Sequence, residues 1–267
     1  MLTIATLTSA QAATSYLFRD AYACGDTDGP IGWWGVGADL LGLSGPVDVT
    51  ILAHVLNGSL PNGVDIAGSR IGAAPPTLGW DLVWSAPKSV SVMALVQGDT
   101  RLIEAHDKAV RGAMEDVEAL QTHASLSDVG EGKLRQTDNL LAALFRHGVN
   151  WKLQPRLHTH ALVANATETD DGRWRGIERQ PIMASIKDSG AIYRSFLAAE
   201  VTRLGYQIVV GANFTFEIAG VARALTNCAH ARSAHVKTCQ ADRRPIPDPA
   251  IFTKRHYLNR RCWGPSC

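Results

Sequence analysis

Apolar and polar positions along the chain change period several times, and each change marks an element. Residues 78–85 alternate with a period near two, which predicts a strand. Pro87 ends it, and Ser85 or Ser89 is placed to cap a following helix. Over residues 99–121 the period lengthens: Leu102, Ile103, Ala109, Val110, Ala113, Val117 and Leu120 gather mostly on one helical face, with Asp99 ahead of them as cap. Residues 134–149 predict a strand and 157–166 its antiparallel partner, beyond a loop through Pro155. Asp170-Asp171-Gly172 predicts a turn, with residues 173–177 as the returning strand. Residues 184–204 predict a second long helix stopped by Gly205, and 206–210 with 214–218 a closing hairpin. Nearer the start, residues 4–7 predict a short strand, 9–19 a helix capped by Ser9, and 49–56 a short helix. The glycine-rich stretches 25–45 and 57–76 predict loops, the first interrupted by a turn at 38–41. The sum is an α+β domain of antiparallel strands and two long helices.

After Gly220 the periodicity vanishes while cysteine, arginine and proline rise, so the expected division is a folded domain over 1–220 and a diverged or disordered tail over 221–267. Charge divides at the same place. Nine of the 26 Lys and Arg, but two of the 25 Asp and Glu, lie between Val221 and Cys267, leaving the body near −6 and the tail near +7. An acidic body argues against DNA binding by overall field, so any DNA contact must use a local basic surface or a metal. Four of five cysteines lie in the tail, which excludes a disulfide framework for the body. No apolar run is long enough to span a bilayer and the start has no signal-peptide pattern, so a cytoplasmic location without membrane contact is expected.

The strongest chemical signal is His158-Thr159-His160 with His147 ten residues earlier. Residues two apart on a strand share a face, about 7 Å apart at the backbone, and a paired neighbouring strand brings His147 to the same point. Three neutral imidazoles bind a divalent metal and leave positions open, a pattern zinc hydrolases also show. Asp81 stands between large apolar residues in Trp80-Asp81-Leu82. It reads equally as a carboxylate orienting a metal-bound histidine, a base for a nucleophile, or a solvent-facing strand residue. Tyr16 and Tyr22 are either packing residues or phenolic nucleophiles for a phosphodiester. Trp33, Trp34, Trp174 and Phe214 are candidates for base stacking or for the core. Cys228, His230, His235 and Cys239 are a poor zinc candidate, because their spacing fits no standard finger.

Several blocks together resemble the N-terminal relaxase domain of TrwC/TraI-type conjugative proteins, the MobF class. They are the N-terminal Met1-Leu2-Thr3-Ile4-Ala5, the tyrosines at 16 and 22, the run from Trp34 to Leu43, Asp81-Leu82 leading to Ser85-Ala86-Pro87-Lys88-Ser89-Val90-Ser91, Asn139-Leu140 leading to Phe145-Arg146-His147, and residues 155–165 around the histidine pair. The likeness covers about residues 1–218. It implies a palm-like central antiparallel sheet of the HUH endonuclease type flanked by helices. It implies site- and strand-specific nicking of single-stranded DNA at a plasmid transfer origin, with Tyr16 forming a covalent 5′-phosphotyrosine. His147, His158 and His160 would hold Mg²⁺ or Mn²⁺ (Zn²⁺ as an alternative), Asp81 would support His160 and the tyrosine, and Lys88 and Arg146 would touch DNA. Helicase, coupling and accessory proteins would come from separate chains. The sequence departs from the family where Leu17 follows Tyr16, Ala23 follows Tyr22, and Val36 replaces the usual lysine between two glycines. No G-x-x-x-x-G-K-[ST] occurs, so a helicase region is not expected here, and a truncated remnant that only binds origin DNA is the alternative.

Overall fold

The computed structural model describes residues 1–15, 29–67, 76–126, 133–150 and 154–221. Tyr16, Tyr22 and the tail cluster Cys228, His230, His235 and Cys239 lie outside the described residues. A five-stranded, wholly antiparallel sheet forms the centre. It is built from β1 (Leu2–Leu7), β2 (Gly29–Trp34), β3 (Gly79–Ser85), β6 (Ala142–Val149) and β7 (Pro155–Ala164), in the order β1-β3-β7-β6-β2. Between β3 and β6 in the chain lie α4 (Lys88–Leu95), α5 (Arg101–Gln121) and a hairpin of β4 (His123–Leu126) with β5 (Lys133–Gln136). A small hairpin of β8 (Thr167–Glu168) and β9 (Trp174–Arg175) turns at Asp170-Asp171-Gly172 as expected, and leads into α6 (Arg179–Arg203). The hairpin of β10 (Ile208–Val210) and β11 (Phe216–Ile218) closes the described chain.

Strand alternation sends the two sheet faces into two separate cores. Trp80, Leu82, Trp84, Leu144, Ala161 and Val163 pack under α4, α5 and α6. Ala143, Phe145, Leu162 and Ala164, on the other face, pack with Leu52, Val55 and Leu56 of α3 (Val49–Asn57). Ala10 joins this second core from the helical turn at residues 10–15 (α1), where Ala12 N–H donates to Ser9 Oγ at 3.2 Å, so Ser9 is the cap. The α5 stripe is buried as its period predicts, except that Leu120 in the last turn is exposed.

Four expectations need correction. The stretch 25–45 is not all loop: it holds β2 and α2 (Val36–Leu40). Its glycines allow backbone to approach backbone. A Cβ on Gly35, where φ is +100°, would lie 2.3 Å from Leu140 O, and the neighbouring Gly37 N–H donates to that same carbonyl at 2.9 Å. The predicted strand over 134–149 is broken at 137–141. There Asp138 takes φ +53°, and the Asn139 side chain donates to Thr137 O (2.7 Å) and Glu168 O (2.8 Å) and accepts from Glu168 N (2.9 Å). The second long helix starts at Arg179, five residues early, with Pro181 in the first turn where a missing N–H leaves no bond unmade. Neither Ser85 nor Ser89 caps α4 through its own hydroxyl. Glu217 of β11 does so, accepting from Ser89 N–H at 2.8 Å, while Ser89 Oγ accepts from Ile218 N–H at 2.7 Å.

Glu118 of α5 makes the most demanding polar contact of the fold. One oxygen, Oε1, accepts from Val36 N–H and from Leu140 N–H, each at 2.8 Å, and so ties the turn before α2 to the start of β6. Burial pushes its carboxyl above the usual range. Glu118→Ala is expected to cost about 2–4 kcal/mol, since one buried donor (Leu140 N–H) and one part-buried donor (Val36 N–H) lose their acceptor. Glu118→Gln keeps an oxygen in place and is expected to cost less than half as much, read from urea denaturation midpoints.

Candidate metal centre

The period-two rule delivers the predicted triad. His147 pairs directly with His158 across β6 and β7, while His160 pairs with Phe145 on the same face. One nitrogen from each of His147, His158 and His160 lies within 4.8 Å of the other two, and the ring centroids stand 5.1–5.4 Å apart. All three rings are buried. The apolar core of this face ends at Phe145 and Leu162, and the histidines begin two residues further along each strand.

Each of the two β7 rings is oriented from behind. His160 Nδ1–H donates to both carboxylate oxygens of Asp81, at 2.8 and 3.0 Å, and His158 Nδ1–H donates to Arg156 O at 2.8 Å. Asp81 pairs with Leu162 across the sheet, and so stands on the histidine face with a side chain 13% exposed. Of the three readings of Asp81 left open by the sequence, the geometry matches a carboxylate orienting a histidine. With Nδ1 carrying the proton, the lone pair of each ring sits on Nε2. Burial, and next the neighbouring His160, hold His158 well below the usual imidazole range, so the ring is neutral at neutral pH, the form that binds metal. Three imidazole nitrogens with carboxylate and carbonyl support behind them fit a divalent cation, and are the one such cluster among the described residues.

The other candidates fall in several places. Arg146 adjoins His147 on β6 and therefore points to the opposite face, where it forms an ion pair with Asp107 of α5. The structure does not bring it to the histidines. Lys88 is half-buried at the start of α4, three residues past Ser85, which pairs with His158. Trp174 is core, Trp33 and Trp34 pack partly buried against opposite cores, and Phe214 is 67% exposed.

Sequence reasoning missed the role of the serines in the Ser85–Ser91 block. Register shifts between His147 and Val149, so the ladder from β6 to β7 is interrupted beside the ligands. On the other side of β7, where β3 leads into α4, Leu157 N–H donates to Ser91 Oγ (3.1 Å), Leu157 O accepts from Ala86 N–H (3.0 Å), and Arg156 donates to Ser85 Oγ (2.9 Å). Both motifs thus meet at the base of the histidine strand. Also missed was His106, fully buried on α5. The signal was present, because a histidine at 106 falls within the apolar stripe of Leu102, Ile103, Ala109 and Val110.

Comparison with known proteins places this architecture. The sequence model of the TrwC relaxase family matches residues 7–256, running past the change in composition at Gly220. The multifunctional conjugation protein TraI of Escherichia coli (strain K12) is 38% identical over 232 residues, which is 83% of this chain and 13% of TraI. A second Escherichia coli protein of that name is 40% identical over 199 residues, 71% of this chain and 11% of the relative, so the chain spans a small part of the curated relatives it matches. Among solved structures, metal-bound conjugative relaxase TrwC in complex with OriT DNA superposes with a TM-score of 0.81 at 34% identity, covering 97% of this chain and 88% of that one. TrwC complexed with a 27-mer DNA comprising the recognition hairpin and the cleavage site gives 0.80 at 32% identity, with the same coverage. Among the described residues no helix is long and apolar enough to cross a membrane.

Proposed function

The chain belongs to the TrwC relaxase family, and from that membership we propose that it nicks one strand of DNA at a plasmid transfer origin, with Tyr16 as nucleophile and a divalent cation at His147, His158 and His160. The observation that carries this reading is the triad itself: three converging imidazoles, one backed by Asp81, on a fold shared with a relaxase solved on DNA that contains its cleavage site. A cation held there would draw charge from the phosphate oxygens while the phosphorus is attacked. Tyr16 Oη forms the new bond to phosphorus and the bond to the 3′ oxygen breaks. The phenolic proton ends on the released 3′-hydroxyl, and the 5′ end stays on the protein as a phosphotyrosine ester. One ester replaces another, so no external energy source is needed. Asp81 holds His160 in the ligating tautomer. Tyr22 is assigned to a second transfer, and Lys88 to the DNA backbone.

Support for Tyr16 comes from the residues that lead to it. Ala10, in the helical turn at residues 10–15, belongs to the same apolar core as Phe145 and Leu162, which border the histidines on their own sheet face. Mn²⁺ or Mg²⁺ is the proposed working metal. Zn²⁺ stands as the alternative because three imidazoles suit it well. Single-stranded origin DNA is the proposed substrate, with helicase and coupling activities and accessory proteins working at the same origin.

The test mixes the chain with a labelled single-stranded oligonucleotide covering the transfer origin next to its gene, with Mn²⁺ or with EDTA. A covalent protein–DNA adduct is expected with Mn²⁺. EDTA is expected to slow its formation on the order of 100-fold or more, since metal stabilisation of phosphate charge contributes several kcal/mol. Retarded mobility without any adduct overturns the nicking reading and leaves binding alone.

A further inference from the structure

We propose that Thr159 is the positioning residue of the histidine strand: its hydroxyl, held through His106 by Tyr193, locks residues 158–160 of β7 in the pleat that turns His158 and His160 together toward the cation. This rests on the reading of the triad as a metal site.

Strand alternation puts Thr159 on the face opposite its two neighbours, under α5 and α6, where it is completely buried. A buried hydroxyl needs a partner, and the partner is specific. His106 Nε2 lies 2.9 Å from Thr159 Oγ1, and His106 Nδ1 lies 2.7 Å from Tyr193 OH. Both His106 and Tyr193 are themselves fully buried. Burial, with Arg146 nearby, lowers His106 to about 3, so the ring is neutral. A neutral imidazole donates from one nitrogen and accepts at the other, which makes Tyr193, His106 and Thr159 a single directed chain of hydrogen bonds. Tyr193 is fixed in turn against Trp84, ring centroids 5.6 Å apart, and Trp84 pairs with Thr159 across β3 and β7. The chain therefore starts and ends on the same pair of strands after passing through both long helices.

Its place in the strand gives it work to do. The β6 ladder is irregular between His147 and Val149, so regular pairing is interrupted on one side of residues 156 and 157, directly before His158. Any roll of β7 about its axis moves all three side chains at once: the two imidazoles away from the triad, and the Thr159 hydroxyl away from His106. A valine in place of Thr159 would fill the same space without that restraint.

The experiment measures Mn²⁺ binding to the purified full chain by titration calorimetry, alongside the thermal midpoint. Thr159→Val is expected to weaken Mn²⁺ binding roughly tenfold, the lower end of what loss of an outer hydrogen-bonding partner costs a metal site. Thr159→Ser, which restores the hydroxyl in a smaller side chain, is expected to bind within about twofold of the unaltered chain. Tyr193→Phe, which cuts the chain one step further back, is expected to fall between them. A merely structural role would lower the thermal midpoint in Thr159→Val and leave Mn²⁺ affinity at the folded temperature unchanged, and that result overturns the proposal. So does a Thr159→Ser variant as weak as Thr159→Val, because restoring the hydroxyl would then restore no affinity. Failure of the unaltered chain to bind Mn²⁺, or Mn²⁺ binding that survives His158→Ala, would instead overturn the metal reading on which this inference stands.

Discussion

A chain with Tyr16 replaced by phenylalanine is expected to form no covalent adduct with a single-stranded origin oligonucleotide, while binding Mn²⁺ and the oligonucleotide as the unaltered chain does. Phenylalanine keeps the ring and removes one oxygen, the atom that would become the ester bridge, so loss of the adduct assigns the nucleophile and not the packing. Binding is the necessary control, because an acidic body near −6 gives little non-specific attraction for DNA and a weakened complex would mimic lost chemistry. Tyr22→Phe is expected to form the first adduct at a normal rate and to fail in a second strand transfer, scored with an oligonucleotide acceptor. If the adduct persists in Tyr16→Phe and disappears in Tyr22→Phe, the two roles exchange. If it persists in the double variant, tyrosine chemistry is wrong. A small-molecule hydrolase built on the same histidines would be indifferent to both substitutions.

What the sequence disclosed, and what it hid, follows from the range of each signal. The triad was legible because it needs only strand alternation and one hairpin-like pairing, both local rules. The same rule sends Arg146, expected to touch DNA, to the face opposite the triad: one residue from His147 on a strand means the other side of the sheet, where it pairs with Asp107. β2 was hidden because glycines whose purpose is close backbone approach look like loop glycines until the approaching strand is known. The cap of α4 was hidden for a similar reason. Glu217 is over a hundred residues from Ser89, and no local pattern names a partner at that distance. Asp81 was ambiguous because alternation states which face a residue takes, but not that His160, 79 residues away, completes its bond.

That bond sets the other large effect. His160→Ala removes a ligand, and is expected to lower Mn²⁺ affinity by more than about 100-fold and adduct formation with it. Asp81→Ala removes only the group behind that ligand, and is expected to cost about 10–100-fold. The order matters more than either value. The Asp81 carboxylate receives the Nδ1 proton of His160 at 2.8 Å, and so keeps the lone pair on the nitrogen that faces His147 and His158. Without it the ring can rotate or take the other tautomer, and a fraction of molecules presents a proton where the cation should be; the ligand is weakened, not deleted. Neither Asp81 nor His160 belongs to either apolar core, so the urea midpoints are expected to stay near that of the unaltered chain. Affinities in the reverse order, with Asp81→Ala losing more than His160→Ala, would mean that Asp81 itself binds the cation and that His160 only orients it.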